Sequence, residues 1–161
     1  MSTPKPKGPA SGRQVVDDVD RAILRALRDD GRLSVSDLAR QANVSRANAY
    51  ARLERLRAVG VIEGFQVRVN PKAVGLDVTA LIFLTVVQGS WREVRDRLTE
   101  FPEVEFIGLT AGESDFVVLV RATSTDNLRD VVLERFVTMP QVTNSRTVIL
   151  LDDFGRAPVI P

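Results

Sequence analysis

Along this chain the apolar positions change their spacing near residue 70. Before that point they recur every three to four residues in short groups; after it, helix-spaced groups alternate with nearly unbroken apolar runs of strand length. In the first half, Asp17 with Asp20 three residues on forms a capping-box start, and Ile23, Leu24 and Leu27 continue it as a helical stripe. Asp29-Asp30-Gly31 ends that helix, with Gly31 suited to a left-handed C′ position. Ser34-Val-Ser-Asp37 opens a short second helix carrying Leu38, Ala39 and Ala42, and Asn43 stops it as a residue that tolerates positive φ. Ser45 caps a third helix running to about Ala58 or Val59 and ending at Gly60, its apolar face being Ala49, Leu53 and Leu56. Val61 to Val69 then reads as two β-prone pieces turning near Glu63-Gly64. Three helices with a tight junction between the second and third, followed by a small hairpin, predict a winged helix-turn-helix.

Asn70-Pro71 through Asp77 reads as a linker. Beyond it, Thr79–Val87 is a central-strand run, Trp91, Val94 and Leu98 mark a helix, and Val104–Thr110 is β-like. Ala111 to Asp115 makes a turn, Phe116–Ala122 is a strong strand, Leu128, Val131, Val132 and Phe136 mark another helix, and Val142–Leu151 a last strand. The order β-α-β-β-α-β is that of a ferredoxin-like sandwich. Two similar joints support it, Phe101-Pro-Glu-Val104 and Met139-Pro-Gln-Val142, each passing from a helix end through proline to a β-branched residue. The fold class expected is therefore α+β. A disordered arm (1–14) precedes the winged helix-turn-helix (15–69), a linker (70–78) and a ferredoxin-like domain (79–161). Such a sheet leaves one face uncovered by helices, so Leu81 and Phe83 or their alternates predict burial against a second copy of the chain.

Composition narrows the chemistry. The 161 residues contain neither cysteine nor histidine, which removes disulfides, thiolate metal sites, Cys nucleophiles and the commonest general base. The reading is of a non-enzyme with no metal site and no cofactor. No apolar run is long enough to span a bilayer, and Met1–Arg13 has no apolar core of a secretory signal, so a cytoplasmic, nucleoid-associated protein is expected. The net charge of +1 conceals a division: residues 1–70 carry 13 Lys+Arg against 8 Asp+Glu, residues 71–161 carry 9 against 13. A basic half joined to an acidic half fits a nucleic-acid-binding module tethered to a non-binding one.

The third helix is the candidate reader. With Ala49, Leu53 and Leu56 buried, Ala47, Asn48, Ala51 and Arg55 fall broadly opposite, Tyr50 and Arg52 on the flanks, and Arg46 in the first turn. Small residues let a helix sit deep in the major groove. Asn48 is suited to adenine, Arg46 or Arg55 to guanine, and Arg52 and Arg57 to phosphates. Ser34 and Ser45 sit at helix N-termini, where backbone N–H groups face phosphate oxygens. Which arginine reads a base is left open by the residues alone.

In the second half, Leu109, Thr110, Gly112, Glu113 and Asp115 make the turn of greatest chemical interest. Gly112 permits close backbone approach or positive φ, and Asp115 offers a carboxylate at the head of an apolar strand, able to accept from an ammonium. The plain alternative is a hairpin that uses Gly and Asp as turn residues.

Several motifs together closely resemble the leucine-responsive/asparagine-regulator (Lrp/AsnC) family. They are Asp17-x-x-Asp20-x-x-Ile23-Leu24, Leu27-x-Asp29-Asp30-Gly31-Arg32-Leu33-Ser34, Asp37-Leu38-Ala39, Val44-Ser45, Arg52-Leu53-x-x-Leu56 and Gly60-Val61-Ile62. The match continues at Asn70-Pro71, Gly75-Leu76, Gly112-Glu113-x-Asp115-Phe116 and Val142 with Thr147–Leu150. Two departures stand out: Asn43 where glycine is usual, and Arg46 where proline often sits. The resemblance implies a transcription regulator binding double-stranded DNA. It implies that the 109–115 turn lines a pocket for an amino acid or related metabolite, with Arg135, Phe136 and Thr138 on the other wall and Arg135 as a carboxylate clamp. It also implies a homodimer assembling into an octamer or another ring of dimers. Two other readings use the same layout: a ligand-independent architectural DNA-binding protein, and an enzyme resembling the sirohaem decarboxylases, against which the missing histidine and the Arg-rich helix argue.

Overall fold

The computed structural model describes residues 16–153 and 160. The described residues divide into two compact units, one holding residues 16–67 and 160 and the other residues 68–153.

The first unit is built from α1 (Asp18–Asp29), α2 (Val35–Gln41) and α3 (Arg46–Ala58). Asp17 caps α1 through the expected box: its carboxylate accepts from Asp20 N at 2.8 Å, and the Asp20 carboxylate accepts from Asp17 N at 3.1 Å. Ile23, Ala26, Leu38, Ala39, Ala49 and Leu56 form the buried centre, while Leu53 is half-buried. Asn43 takes φ 53, which closes the α2–α3 junction and lets Val44 N donate to Ala39 O at 2.9 Å. An Asn tolerates this left-handed backbone better than a branched residue would.

Two local expectations fail. Gly31 is not left-handed; the chain leaves α1 through an extended Asp30, whose carboxylate accepts from Arg32 N at 2.9 Å and so makes the turn instead. The wing hairpin is also absent, since no strand forms between Val61 and Val69. Gly60 at φ 74 closes α3, and Val61 and Ile62 both donate their N–H to Leu56 O, at 2.9 and 3.0 Å. These β-prone residues are thus spent on a helix C-terminus. Phe65, Val67 and Val69 follow as exposed apolar side chains without a paired strand among the described residues.

The second unit follows the predicted order: β1 (Val78–Val86), α4 (Trp91–Leu98), β2 (Val104–Leu109), β3 (Phe116–Ala122), α5 (Thr125–Asp130) and β4 (Val142–Leu150). The strands lie in the order β2-β3-β1-β4, all neighbours antiparallel, which is the ferredoxin-like arrangement. The expected second helix is longer than α5 itself, continuing as a wider π-helical stretch over Val131–Phe136 that ends with Val137 N donating to Val132 O at 3.0 Å.

Strict alternation along β1 and β3 divides the sheet. Ala80, Ile82 and Leu84 with Phe116, Val118, Val120 and Ala122 are buried under Val94, Leu98, Leu128, Val131, Val132 and Phe136. Leu81 and Phe83 lie on the other face beside Leu119 and Val117 of β3 and Val148 and Arg146 of β4, all only partly covered or exposed. The Arg146 guanidinium lies 4.5 Å from the Phe83 ring centroid.

Candidate nucleic-acid interface and effector loop

Both helix-starting serines are occupied as caps. Ser34 Oγ accepts from Asp37 N at 3.2 Å and donates to the Asp37 carboxylate at 2.7 Å, and Ser45 Oγ accepts from Asn48 N at 3.2 Å. Both hydroxyls thus set the helix ends.

From the capped end of α3, Arg46, Ala47, Asn48, Tyr50 and Ala51 are exposed, with only Ala49 buried among them. Small side chains on one face of a helix start, flanked by a cation and an exposed tyrosine, are what close approach to base edges requires. Among the described residues Arg46 has no side-chain partner, whereas Arg57 pairs with Glu54 at 3.3 Å.

Arg52 and Arg55 behave otherwise than expected. Arg52 Nη1 donates to Asp17 at 2.6 Å and to Asp20 at 2.9 Å, and its Nε donates to Asn48 Oδ1 at 2.7 Å. Arg55 Nη2 donates to the other Asp20 oxygen. Asp20 is fully buried, so its charge is stable there only because two guanidiniums and the Asp17 N–H surround it. The two arginines expected at phosphate and guanine are therefore braces that hold α3 to the start of α1. The sequence alone shows the Asp17/Asp20 pair as a cap; the signal of a further role is two acidic residues one turn apart and two arginines three apart.

The backbone hydrogen bond from Asp20, and then the Arg52 guanidinium, lower the Asp17 carboxyl from the usual 3.8 to about 2. Burial pushes the Asp20 carboxyl up, but hydrogen bonds from Arg55, Arg52 and the Asp17 N–H outweigh it and hold it below the ordinary range. Arg52 is correspondingly raised by Asp17 and Asp20. Because both acids bind protons less readily folded than unfolded, the stability they add is complete above about pH 4 and is lost as pH falls toward 2. Circular-dichroism melts of the full chain between pH 2 and 7 are expected to show that decline. Asp17→Ser, which keeps a cap but removes the charge, should flatten it; an equally steep decline in that variant would remove Asp17 from the account.

The 109–115 turn is held from within. Thr110 N donates to Asp115 O at 2.8 Å, Thr110 Oγ1 donates to Ser114 O, and Asp115 N donates to Leu84 O at 2.9 Å. The Asp115 carboxylate accepts from Val86 N at 2.8 Å, where β1 breaks register against β4 between Thr85 and Val86. Asp115 thus fastens the turn to an irregular β1 end, the plainer of its two expected roles. Gly112 is not left-handed, and a Cβ there would meet nothing within 4 Å. Leu109 and Glu113 are exposed.

The expected opposite wall is likewise committed. Arg135 Nη1, the expected carboxylate clamp, sits 3.0 Å from both Glu103 carboxylate oxygens. Phe136 is fully buried in the sheet domain's core, its ring 5.4 Å from that of Phe101, and lines no surface. Thr138 Oγ1 donates to Glu134 O and Arg135 O at 2.7 and 3.2 Å, closing the helix end. Among the described residues no hydrogen bond or ion pair joins the turn to Arg135, Phe136 or Thr138.

Comparison with known proteins agrees with both halves. Residues 16–57 match the AsnC-type helix-turn-helix domain, and residues 79–160 match the Lrp/AsnC ligand binding domain. The chain is 37% identical to the HTH-type transcriptional regulator LrpA of Mycobacterium tuberculosis over 149 residues, covering 92% of this chain and 99% of that one. It is 32% identical to the regulator AldR of Mycolicibacterium smegmatis over 148 residues, covering 89% and 86%. Its fold superposes on AsnC of E. coli with a TM-score of 0.84 at 27% identity, covering 91% of this chain and 99% of that one. A feast or famine regulatory protein from M. tuberculosis, solved with L-methionine, gives 0.84 at 36% identity with 91% and 100% covered. These relatives are regulators and not enzymes. A helix-turn-helix unit matched over residues 16–57 and a ferredoxin-like sheet unit matched over residues 79–160 make this chain a member of the Lrp/AsnC family of transcriptional regulators.

Proposed function

We propose that α3 is the DNA-reading helix, that Arg46, Ala47, Asn48, Tyr50 and Ala51 meet the major groove, and that an amino acid bound near the 109–115 turn alters DNA binding. The observation that carries the first part is the exposed, small-residue first half of α3, held at a fixed angle by the buried Asp20. Arg52 and Arg55 act through position, which leaves Arg46 as the first candidate for phosphate or guanine contact. Support for an amino-acid effector comes from the L-methionine-bound relative and from an open Gly112 at an exposed turn. The half-covered face carrying Leu81, Phe83, Leu119 and Val148 supports a homodimer formed sheet to sheet, with two reading helices for a palindromic site. Further assembly to an octamer or ring, and residence in the cytoplasm on the nucleoid, belong to the same proposal.

Gel-shifts on the DNA flanking its own gene, at two salt concentrations and with a panel of amino acids and keto acids, test it. Selective binding that weakens with salt and shifts with one compound is expected. Gly112→Ser has room to fold and should keep DNA binding while losing the response. Binding indifferent to every compound would favour an architectural protein, and no selective binding would sink the regulator reading of α3.

A further inference from the structure

The geometry points to Arg52 as a positioning residue that fixes which way round the Asn48 carboxamide faces, restricting Asn48 to hydrogen-bond acceptors on a base. The inference rests on α3 being the reader. Asn48 is exposed at the third residue of α3, one turn from the capped end. Its Oδ1 accepts from Arg52 Nε at 2.7 Å, and Arg52 is itself pinned by Nη1 to Asp17 at 2.6 Å and Asp20 at 2.9 Å. A guanidinium is planar and its donors are fixed relative to one another, so anchoring Nη1 on α1 aims the Nε–H at one place. Flipping the carboxamide would set its NH2 against that N–H, two donors facing each other with no acceptor between.

The carbonyl is therefore turned back along the helix, and the two amide hydrogens are left to face outward. In the major groove guanine presents acceptors at O6 and N7 and thymine at O4, adenine presents the N7 acceptor beside its N6–H2 donor, and cytosine presents only the N4–H2 donor. The two-bond adenine pairing expected from an asparagine in isolation needs its carbonyl to face N6–H2, and here that oxygen is turned back toward Arg52. Asn48 in this setting selects against cytosine, and adenine keeps only the bond at N7.

Selection from a random-core duplex library, followed by titration of all four bases at each position of the winning site, tests this with the full chain. Wild type should disfavour cytosine by about tenfold against the other three bases at one position per half-site, with no preference for adenine. Asn48→Asp is isosteric, keeps the Arg52 contact and can only accept, so it should invert the preference at that position alone toward cytosine. Arg52→Lys keeps a charge beside Asp17 and Asp20 but has no Nε–H, so it should let the amide turn, restore the second bond to adenine and make adenine the preferred base at that position. An Arg52 that merely supports the fold would weaken every sequence alike and leave the ranking of bases untouched. Adenine preferred by wild type at the position sensitive to Asn48, or a ranking unmoved by Asn48→Asp or by Arg52→Lys, would overturn the inference. Failure of the wild type to select any sequence would overturn the reading of α3, and this assignment with it.

Discussion

Asp20→Ala is expected to destabilise the helix-turn-helix by about 3 kcal/mol, at the lower end of what removing one partner of a buried ion pair costs. The side chain is fully buried and accepts from Arg52, Arg55 and the Asp17 N–H, so its loss strands donors from three sources. The cost stays near the lower end because the Arg52 and Arg55 side chains are 24% and 42% exposed, which lets water take up part of their charge. For a unit of this size the loss corresponds to a fall of roughly 10–20 °C in its melting temperature. Calorimetry of the full chain should show that shift in one unit's transition, with DNA affinity falling for all sequences together. A shift below about 3 °C would mean that water already satisfies these arginines and that α3 does not depend on them.

Phe136→Ala should have a comparable or larger effect on the other unit, about 3–5 kcal/mol. The ring is fully enclosed beneath the sheet with Phe101 at 5.4 Å, and truncation leaves a cavity that packed strands cannot collapse to fill. A variant lacking both order and amino-acid response would say nothing of a ligand contact. Phe136→Leu, which restores most of the volume, should recover the melting temperature to within a few degrees and the response with it. A Phe136→Ala protein that melts like the wild type yet ignores the effector would instead place the ring against the ligand.

These two residues show where sequence reading works and where it stops. Period and capping chemistry are local, so Asp17, Ser34, Ser45 and Asn43 declared the helix ends, and the alternation of β1 and β3 declared the sheet's two faces. Leu128, Val131, Val132 and Phe136 declared a buried stripe for the same reason. What a polar side chain does once folded depends on residues distant in the chain. Arg52 meets Asp17 and Asp20 more than thirty residues away, Arg135 meets Glu103 across a similar gap, and Asp115 meets Val86. No spacing rule reports such partners, so in the sequence alone these charges look exposed and free of internal bonds. The missing wing has another cause. Val61 and Ile62 have strong β preference, but two carbonyl-directed hydrogen bonds at the end of α3 outweigh it.

The double duty of the Asp17–Asp20 box has a kinetic consequence. In most helices the first turn frays at almost no cost, and its amides exchange with solvent long before the domain opens. Here the carboxylates that cap α1 also hold Arg52 and Arg55, so loosening the first turn of α1 releases the brace on α3. In hydrogen exchange the Asp20 amide should therefore be protected far beyond a normal helix end, and should open in step with the amides of α3.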